Sequence, residues 1–225
     1  NTAQLSIAGG INQTQFSISG GYQKETTVFP GDANYKKVTV HSSVNHQSNN
    51  DRFKLNLTTI YSNEKNLLPR SDFTFKAYTL EPNAPKLYDD EGLLNWENNT
   101  WNNPLASLEE VYDAKINTLI TNAGISYMVL PNLELKTSLG FNTYDLDSYR
   151  TLPSSARNPR FGFTPQNYSS ISINRSRRQS WIVEPQLNWT KQLNKTKLDV
   201  LLGSTFQRES TQQLVQKGTG FPNYH

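Results

Sequence analysis

The sequence predicts an all-β fold: about eight long antiparallel strands in an up-and-down order, a segment of a transmembrane β-barrel. Three observations predict it. Apolar residues recur at every second position in one segment after another, those segments outrun the strands of soluble domains, and short and long connections alternate along the chain. Successive side chains of a strand point to opposite faces, so period two gives each ribbon one oily and one wet side. A half-buried antiparallel sheet of any kind would show that much. Strand length discriminates further, because strands of soluble domains run about 5–6 residues. A strand tilted by about 45° needs about 9–11 residues to cross a bilayer.

Taken in order, a short first strand covers about 3–9. The next, about 13–24, carries Phe16, Ile18 and Tyr22 in one phase, and 34–46 carries Val38, Val40 and Val44. Over 52–64, Phe53, Leu55, Leu57 and Tyr61 alternate with Lys54, Asn56 and Thr58. Strands at 117–129 and 132–145 follow. In the second of these, Leu133, Leu135, Leu139 and Phe141 alternate with Glu134, Lys136, Ser138, Gly140 and Asn142. Over 178–190, Trp181, Val183, Leu187 and Trp189 alternate with Glu184, Gln186 and Asn188. The last strand, 196–209, sets Leu198, Val200, Leu202 and Phe206 against Lys197, Asp199, Gly203, Thr205 and Gln207.

The connections sort by edge. Tight turns are expected at Gly10–Asn12, Gln47–Asp51, Leu130–Asn132 and Lys191–Lys195, and long loops at 25–33, 65–116, 146–177 and 210–225. Alternate connections of an up-and-down sheet share an edge, so all the turns fall on one side and all the loops on the other. Outer-membrane barrels have this asymmetry, with short periplasmic turns and long extracellular loops. Aromatic spacing agrees. Phe53 and Tyr61 share a phase eight residues apart, as do Trp181 and Trp189. That is roughly 26 Å along a strand, or roughly 20 Å after tilting, close to the separation of the two aromatic girdles of a barrel. These four are the expected membrane-interface aromatics; ordinary sandwich-core packing is the alternative.

Composition bounds the rest. The 225 residues are 35% hydrophobic, 11% aromatic and 18% charged, with 22 Lys+Arg against 19 Asp+Glu. The aromatic content is too high for a disordered tract. No run of eighteen uncharged apolar residues encodes a membrane-spanning helix. No signal segment opens the chain, which begins at Asn1. Without cysteine there is no disulfide framework, thiol catalysis or thiolate metal site.

Several segments resemble SusC/RagA-type TonB-dependent transporters of the outer membrane of Bacteroidetes-like bacteria. Leu5-Ser-Ile-Ala-Gly-Gly10 followed by Thr14-Gln-Phe-Ser-Ile-Ser-Gly-Gly-Tyr22 is similar to that family's first barrel hairpin. Tyr35-Lys-Lys-Val-Thr-Val40 leading to Asn45-His46 resembles a strand ending in a comparable turn. Leu87-Tyr-Asp-Asp-Glu-Gly-Leu-Leu-Asn-Trp96 and Asn103-Pro-Leu-Ala106 are similar to recurrent loop phrases, and Leu130-Pro-Asn-Leu-Glu-Leu-Lys-Thr-Ser-Leu-Gly140 to a turn-and-strand pattern. The resemblance implies a 22-stranded barrel with an N-terminal plug, a SusD-like lipoprotein on its surface, and import of oligosaccharides or peptides powered by the TonB complex. Plug, energy-coupling segment and signal peptide are not found here, so 1–225 is expected to be one partial barrel domain, its TonB contact made through a missing N-terminal part. A lone segment with two open sheet edges is not expected to be stable by itself.

Candidate site residues come from the longest loop, 65–116, which is too long for an unstructured connection and suggests function or a folded insert. It holds Tyr78, Tyr88, Trp96, Trp101 and Tyr112 among many Asn residues. Aromatic faces beside amides suit a sugar; packing as a lid, or contact with a capping partner, is the reading preferred to glycan contact. Asp89-Asp90-Glu91-Gly92 lacks the ligand spacing of an EF-hand and reads as an acidic turn. His41, His46 and His225 show no metal spacing. Residues 150–217 carry eleven Lys+Arg against three Asp+Glu. Arg175, Arg177 and Arg178 cluster where the second-longest loop re-enters a strand, as solvated charge or beside lipid headgroups; nucleic acid is the weaker reading. No cofactor and no catalysis is expected. The rivals are a siderophore- or cobalamin-type TonB-dependent receptor, a soluble carbohydrate-binding β-sandwich, and a glycosidase-like barrel whose paired carboxylates the sequence offers no means of identifying.

Overall fold

The computed structural model describes residues 1–69 and 71–220, which form one open antiparallel sheet. Its strands are β1 (Thr2–Ile11), β2 (Thr14–Thr26), β3 (Asn34–Gln47), β4 (Phe53–Asn66), β5 (Tyr112–Leu130), β6 (Leu133–Leu152), β7 (Ser170–Leu193), β8 (Thr196–Gly203) and β9 (Phe206–Thr219). From β1 to β8 each pairs with the next in sequence, and β9 pairs with β7 rather than with β8. This is the expected up-and-down order. Among the described residues one short α-helix, α1 (Thr74–Thr79), sits in the β4–β5 connection, with a 3-10 turn at Ala106–Glu109 after it.

The eight expected strands become nine because one ribbon is interrupted. Gly203 pairs with Gln186 and Phe206 with Val183, so β8 and β9 share one register and the break at Ser204–Thr205 faces Pro185. The Ser204 amide donates to the Pro185 carbonyl at 3.1 Å, but proline has no N–H to return. On its other side Pro185 pairs with Thr137 without breaking that ladder. The interruption therefore falls only where the missing donor was required.

The long strands extend beyond the expected limits. β5 begins at Tyr112, β6 reaches Leu152, β7 begins at Ser170 and β9 runs to Thr219. The long connections are correspondingly shorter, at 27–33, 67–111 and 153–169, and residues 210–219 continue a strand where a loop was expected. Residues 221–225 of that expected loop, His225 included, lie outside the described residues. The reason is physical: above the apolar stretch the charged Asp145, Asp147, Arg175 and Arg177 enter the apolar phase, so the alternation is interrupted while the backbone ladder continues. Cross-strand ion pairs hold it there. Arg175 lies 3.5 Å from Asp147, and Arg178 lies 2.8 Å from Glu209. The arginine cluster expected at a loop boundary is thus inside β7 and paired across the sheet.

Register decides which face each residue takes, since directly paired residues point the same way. Following the pairing from β2 gives one unbroken row: Phe16, Val44, Leu57, Ala123, Leu139, Val183 and Phe206. The apolar phases of all the long strands share this face, and Lys136, Asn142, Glu184, Gln186 and Asp199 share the opposite one. Nothing packs behind the apolar face. Among the described residues the buried hydrophobics are Phe73, Ala114 and Ala156, whereas Phe16, Val38, Val40, Tyr61, Leu135, Trp181 and Leu202 are exposed. A two-layer sandwich core is excluded.

Toward the long connections the polar face is the more enclosed of the two, with Ser62, Ala114 and Ser148 buried on it, whereas nearer the turns its Lys54 and Asn56 are exposed. On β3, Lys36, Val38 and Val40 are exposed while Tyr35, Lys37 and Thr39 between them are half-buried, and Phe16–Ser19 on β2 repeat the pattern. Along β2 and β3 that asymmetry fits a single layer curved with its polar side concave, where side chains converge, and its apolar side convex, where they splay.

The apolar band also drifts along the strands. On β2 it covers Phe16–Tyr22, above the shared row; on β8 and β9 it covers Leu198–Phe206, below and up to that row. The shift averages about seven residues, roughly 23 Å, over six inter-strand steps of about 4.8 Å each. A level band therefore requires strands tilted by about 40°, within the range of membrane barrels. Aromatic residues follow the same slope: Tyr22, Tyr61, Phe141 and Trp181 border the band toward the long connections, and Phe53, Tyr127 and Trp189 border it toward the turns. Of these, Phe53, Tyr61, Trp181 and Trp189 are the four expected from spacing.

Candidate functional site

The three long connections meet at one end of the sheet and join into a single roof. Phe29 of the first packs edge-on against Phe73 of the second, with ring centroids 5.0 Å apart. One buried amide, Asn158, joins the second and third, and another, Asn103, ties the second to itself. Asn158 is buried, and its Nδ2 donates to the Trp101 carbonyl at 2.9 Å and to Asn99 O and Asn102 Oδ1 at 3.2 Å. Asn103, also buried, donates to the carbonyls of Leu87 at 2.6 Å and Asn95 at 3.0 Å. Buried amides serve here because loop backbone has no ladder to satisfy its carbonyls, and each such group needs a partner.

A carboxylate clamp completes the join. Glu110 accepts from Arg150 at 2.9 Å and from Arg157 at 3.3 Å, and Arg157 Nε donates to the Tyr168 hydroxyl. At the entrance to α1 the Asp72 carboxylate accepts from the side chain and backbone of Thr74, which holds its pKa below the usual range. The longest loop is thus a folded insert.

Beneath the roof the concave face is polar. Near the long connections Tyr35 donates to Glu64 at 2.8 Å, and Lys37 pairs with Glu64 at 3.0 Å. Toward the turns it becomes amide-rich: Asn56 donates to Asn45, and a groove there is lined by Gln15, Asn45, Asn56, Ser126 and Lys136. Donors and acceptors are dispersed along the wall rather than focused on one reacting point.

The five aromatic site candidates do not form one platform. Tyr78 stands on α1 at 90% exposure beside Phe75 at 76%. Tyr88 bridges Leu94 in a small turn, and Trp96 is half-buried next to it. Trp101 lines a groove with Lys76, Leu80, Pro85 and Pro104. Tyr112 begins β5 on the concave side. No ring contact joins any two of them among the described residues. Asp89 spends its carboxylate on the Leu93 amide at 2.7 Å, a tight acidic turn. His46 takes a hydrogen bond of 2.8 Å with Thr14 and leans on Phe53.

Sequence reasoning missed Asn103, Asn158 and the Glu110 clamp. Asn103 lies inside a quoted loop phrase, but nothing marks a buried asparagine in a chain so rich in exposed ones.

The fold has solved counterparts. A structure of the RagAB peptide transporter matches with a TM-score of 0.73 at 16% identity, covering 99% of this chain and 26% of that one. The same importer in its closed-closed state gives 0.70 at 15% identity, with the same two coverages. Its open-open state gives 0.67 at 16% identity over 98% of this chain and 25% of that one. The chain therefore spans about a quarter of the length of those proteins. At such identity the likeness is one of fold. No family model and no curated protein matches the chain.

Proposed function

We propose that this chain forms part of the barrel wall of an outer-membrane, TonB-dependent active importer of the SusC/RagA type. The convex apolar face lies in lipid and the concave polar face lines the passage. The single observation that carries this is the continuous apolar row from Phe16 to Phe206 on the open face of a one-layer sheet. A surface of that kind is tolerated in hydrocarbon and invites aggregation in water.

In this reading the roof is extracellular, and the exposed Phe75 and Tyr78 on it are contacts for a SusD-like lipoprotein. Tyr88, Trp96, Trp101 and Tyr112 are left for substrate or lid packing. The TonB complex engages a part of the protein outside this chain. The solved structures of like fold are of a peptide importer, which puts peptides ahead of oligosaccharides as the first substrates to try.

Single cysteines test the reading without background from this chain, which has none. In the membrane-inserted protein, Leu139→Cys and Val183→Cys should resist a water-soluble maleimide and report quenching by lipid-borne nitroxide. Lys136→Cys and Asn142→Cys should label readily. Equal labelling of both sets would overturn the assignment of faces. Uptake of labelled oligopeptides against oligosaccharides, each in competition with a ferric siderophore, then separates the substrate classes.

A further inference from the structure

Four lysines stand side by side on the apolar face toward the roof, Lys24 and Lys36 directly above the band and Lys65 and Lys115 one same-face residue further up, beyond Asn63 and Asn117. Lys24 pairs directly with Lys36, Lys36 with Lys65, and Lys65 with Lys115. Neighbouring strands lie about 4.8 Å apart, so the row spans roughly 14 Å. Like charges directly opposite one another destabilise a sheet, and internal neutralisation is slight. Lys65 has Asp113 at 3.9 Å; Lys24, Lys36 and Lys115 have no carboxylate within ion-pair distance among the described residues.

The same row continues through Asp147 and Arg175, which do pair, at 3.5 Å. Self-neutralisation was therefore available on this row, and it stops at β5. Just below the lysines lie Tyr22, Val38, Asn63 and Asn117, with Asn63 donating to Asn117 at 2.6 Å. The lysine stems can lie on the apolar wall while their ammonium groups stay wet. At the opposite border of the band, on the same face, the charged residue is Lys191 alone.

We propose that this row is a docking site for the phosphates of lipid headgroups in the leaflet next to the roof, a proposal that rests on the membrane reading above. Charge complementarity and position select the occupant. Three unneutralised ammonium groups on one row, with the apolar band beneath Lys24 and Lys36 and an amide pair beneath Lys65 and Lys115, lie beside the part of the surface that faces hydrocarbon. An anion arriving there with its own acyl chains satisfies both at once.

The test uses the membrane-inserted protein in nanodiscs of phosphatidylcholine doped with lipid A, or with lipid A stripped of its phosphates. Native mass spectrometry reads the lipid retained. Retention should favour the phosphorylated form, and Lys36→Gln alone should cut that preference about fivefold at low salt, with Lys36→Gln/Lys65→Gln/Lys115→Gln cutting it further. The preference should shrink as salt rises, and replacement of the three lysines by arginine should retain it. Lys54→Gln/Lys136→Gln on the concave face should leave it unchanged.

The proposal is overturned if inserted wild-type protein shows no preference, if the concave-face pair loses it equally, or if millimolar inorganic phosphate displaces the lipid completely, which would make free phosphate the ligand. A protein that fails to insert at all would instead refute the membrane reading.

Discussion

The wall and the roof of this molecule are built on opposite rules. In the wall, side chains alternate between two surroundings and almost none is buried; the backbone ladder supplies the order. In the roof there is no ladder, and buried groups do the work: Phe73, Asn103, Ala156 and Asn158 lie in the long connections, and Ala114, Ser148 and Thr151 at the strand ends that meet them. The wall depends on what surrounds it, and the roof largely on itself. On the proposed membrane reading, substitutions in the first should register in insertion into bilayers, and those in the second as local opening.

The largest effect should come from placing a charge in the wall's apolar row. Leu139→Arg is expected to cost about 2–4 kcal/mol if the site is near the bilayer midplane. Lys136→Leu, three residues away on the other face, should change stability by about 0.5 kcal/mol or less. Denaturant titrations of refolding into bilayers measure both, and similar costs would erase the distinction between the faces.

The roof offers the next step down. Asn158→Ala removes the donor to two backbone carbonyls and leaves them enclosed, at about 1–3 kcal/mol of local stability. Hydrogen exchange should speed up in residues 95–103 and 154–169 while the strands stay protected. If protection were lost in β5–β7 as well, roof and wall would form one cooperative unit.

Glu110→Gln should cost less, about 1 kcal/mol at most, because both of its arginine partners are more than a third exposed and water screens them. A double-mutant cycle with Arg157→Gln reads the coupling directly. The smallest effect should come from Pro185→Ala, which restores a donor opposite Ser204. The gain is expected to be within about 1 kcal/mol, visible as a slowly exchanging amide at position 185 and continuous pairing from Thr196 to Thr219.

Wall and roof also differ in how far they could be read from sequence. The strand pattern was legible because period two is a local property, and the runs at Phe53–Tyr61 and Trp181–Trp189 display it without reference to any neighbour. Its ends were not legible, since above the band Asp145 and Asp147 on β6 and Arg175 and Arg177 on β7 occupy the apolar phase and interrupt the alternation. Tyr127 and Phe141, which also border the apolar band, needed the register before they could be set beside Phe53 and Trp181. In the roof even less showed: Asn158 resembles every other asparagine in the sequence until the partner loop is folded against it.

By itself, then, the amino-acid sequence determined an antiparallel, up-and-down sheet with one oily side per strand and its long connections at one edge, because side-chain alternation and connection length are properties of neighbouring residues. Only the tertiary structure decided that all the oily sides coincide on the open face, that the apolar band drifts from strand to strand, that four lysines line up, and that the loops lock through Asn158 and Glu110. Each of these depends on the register between strands or on contacts between distant segments, and neither is written in any single stretch of chain.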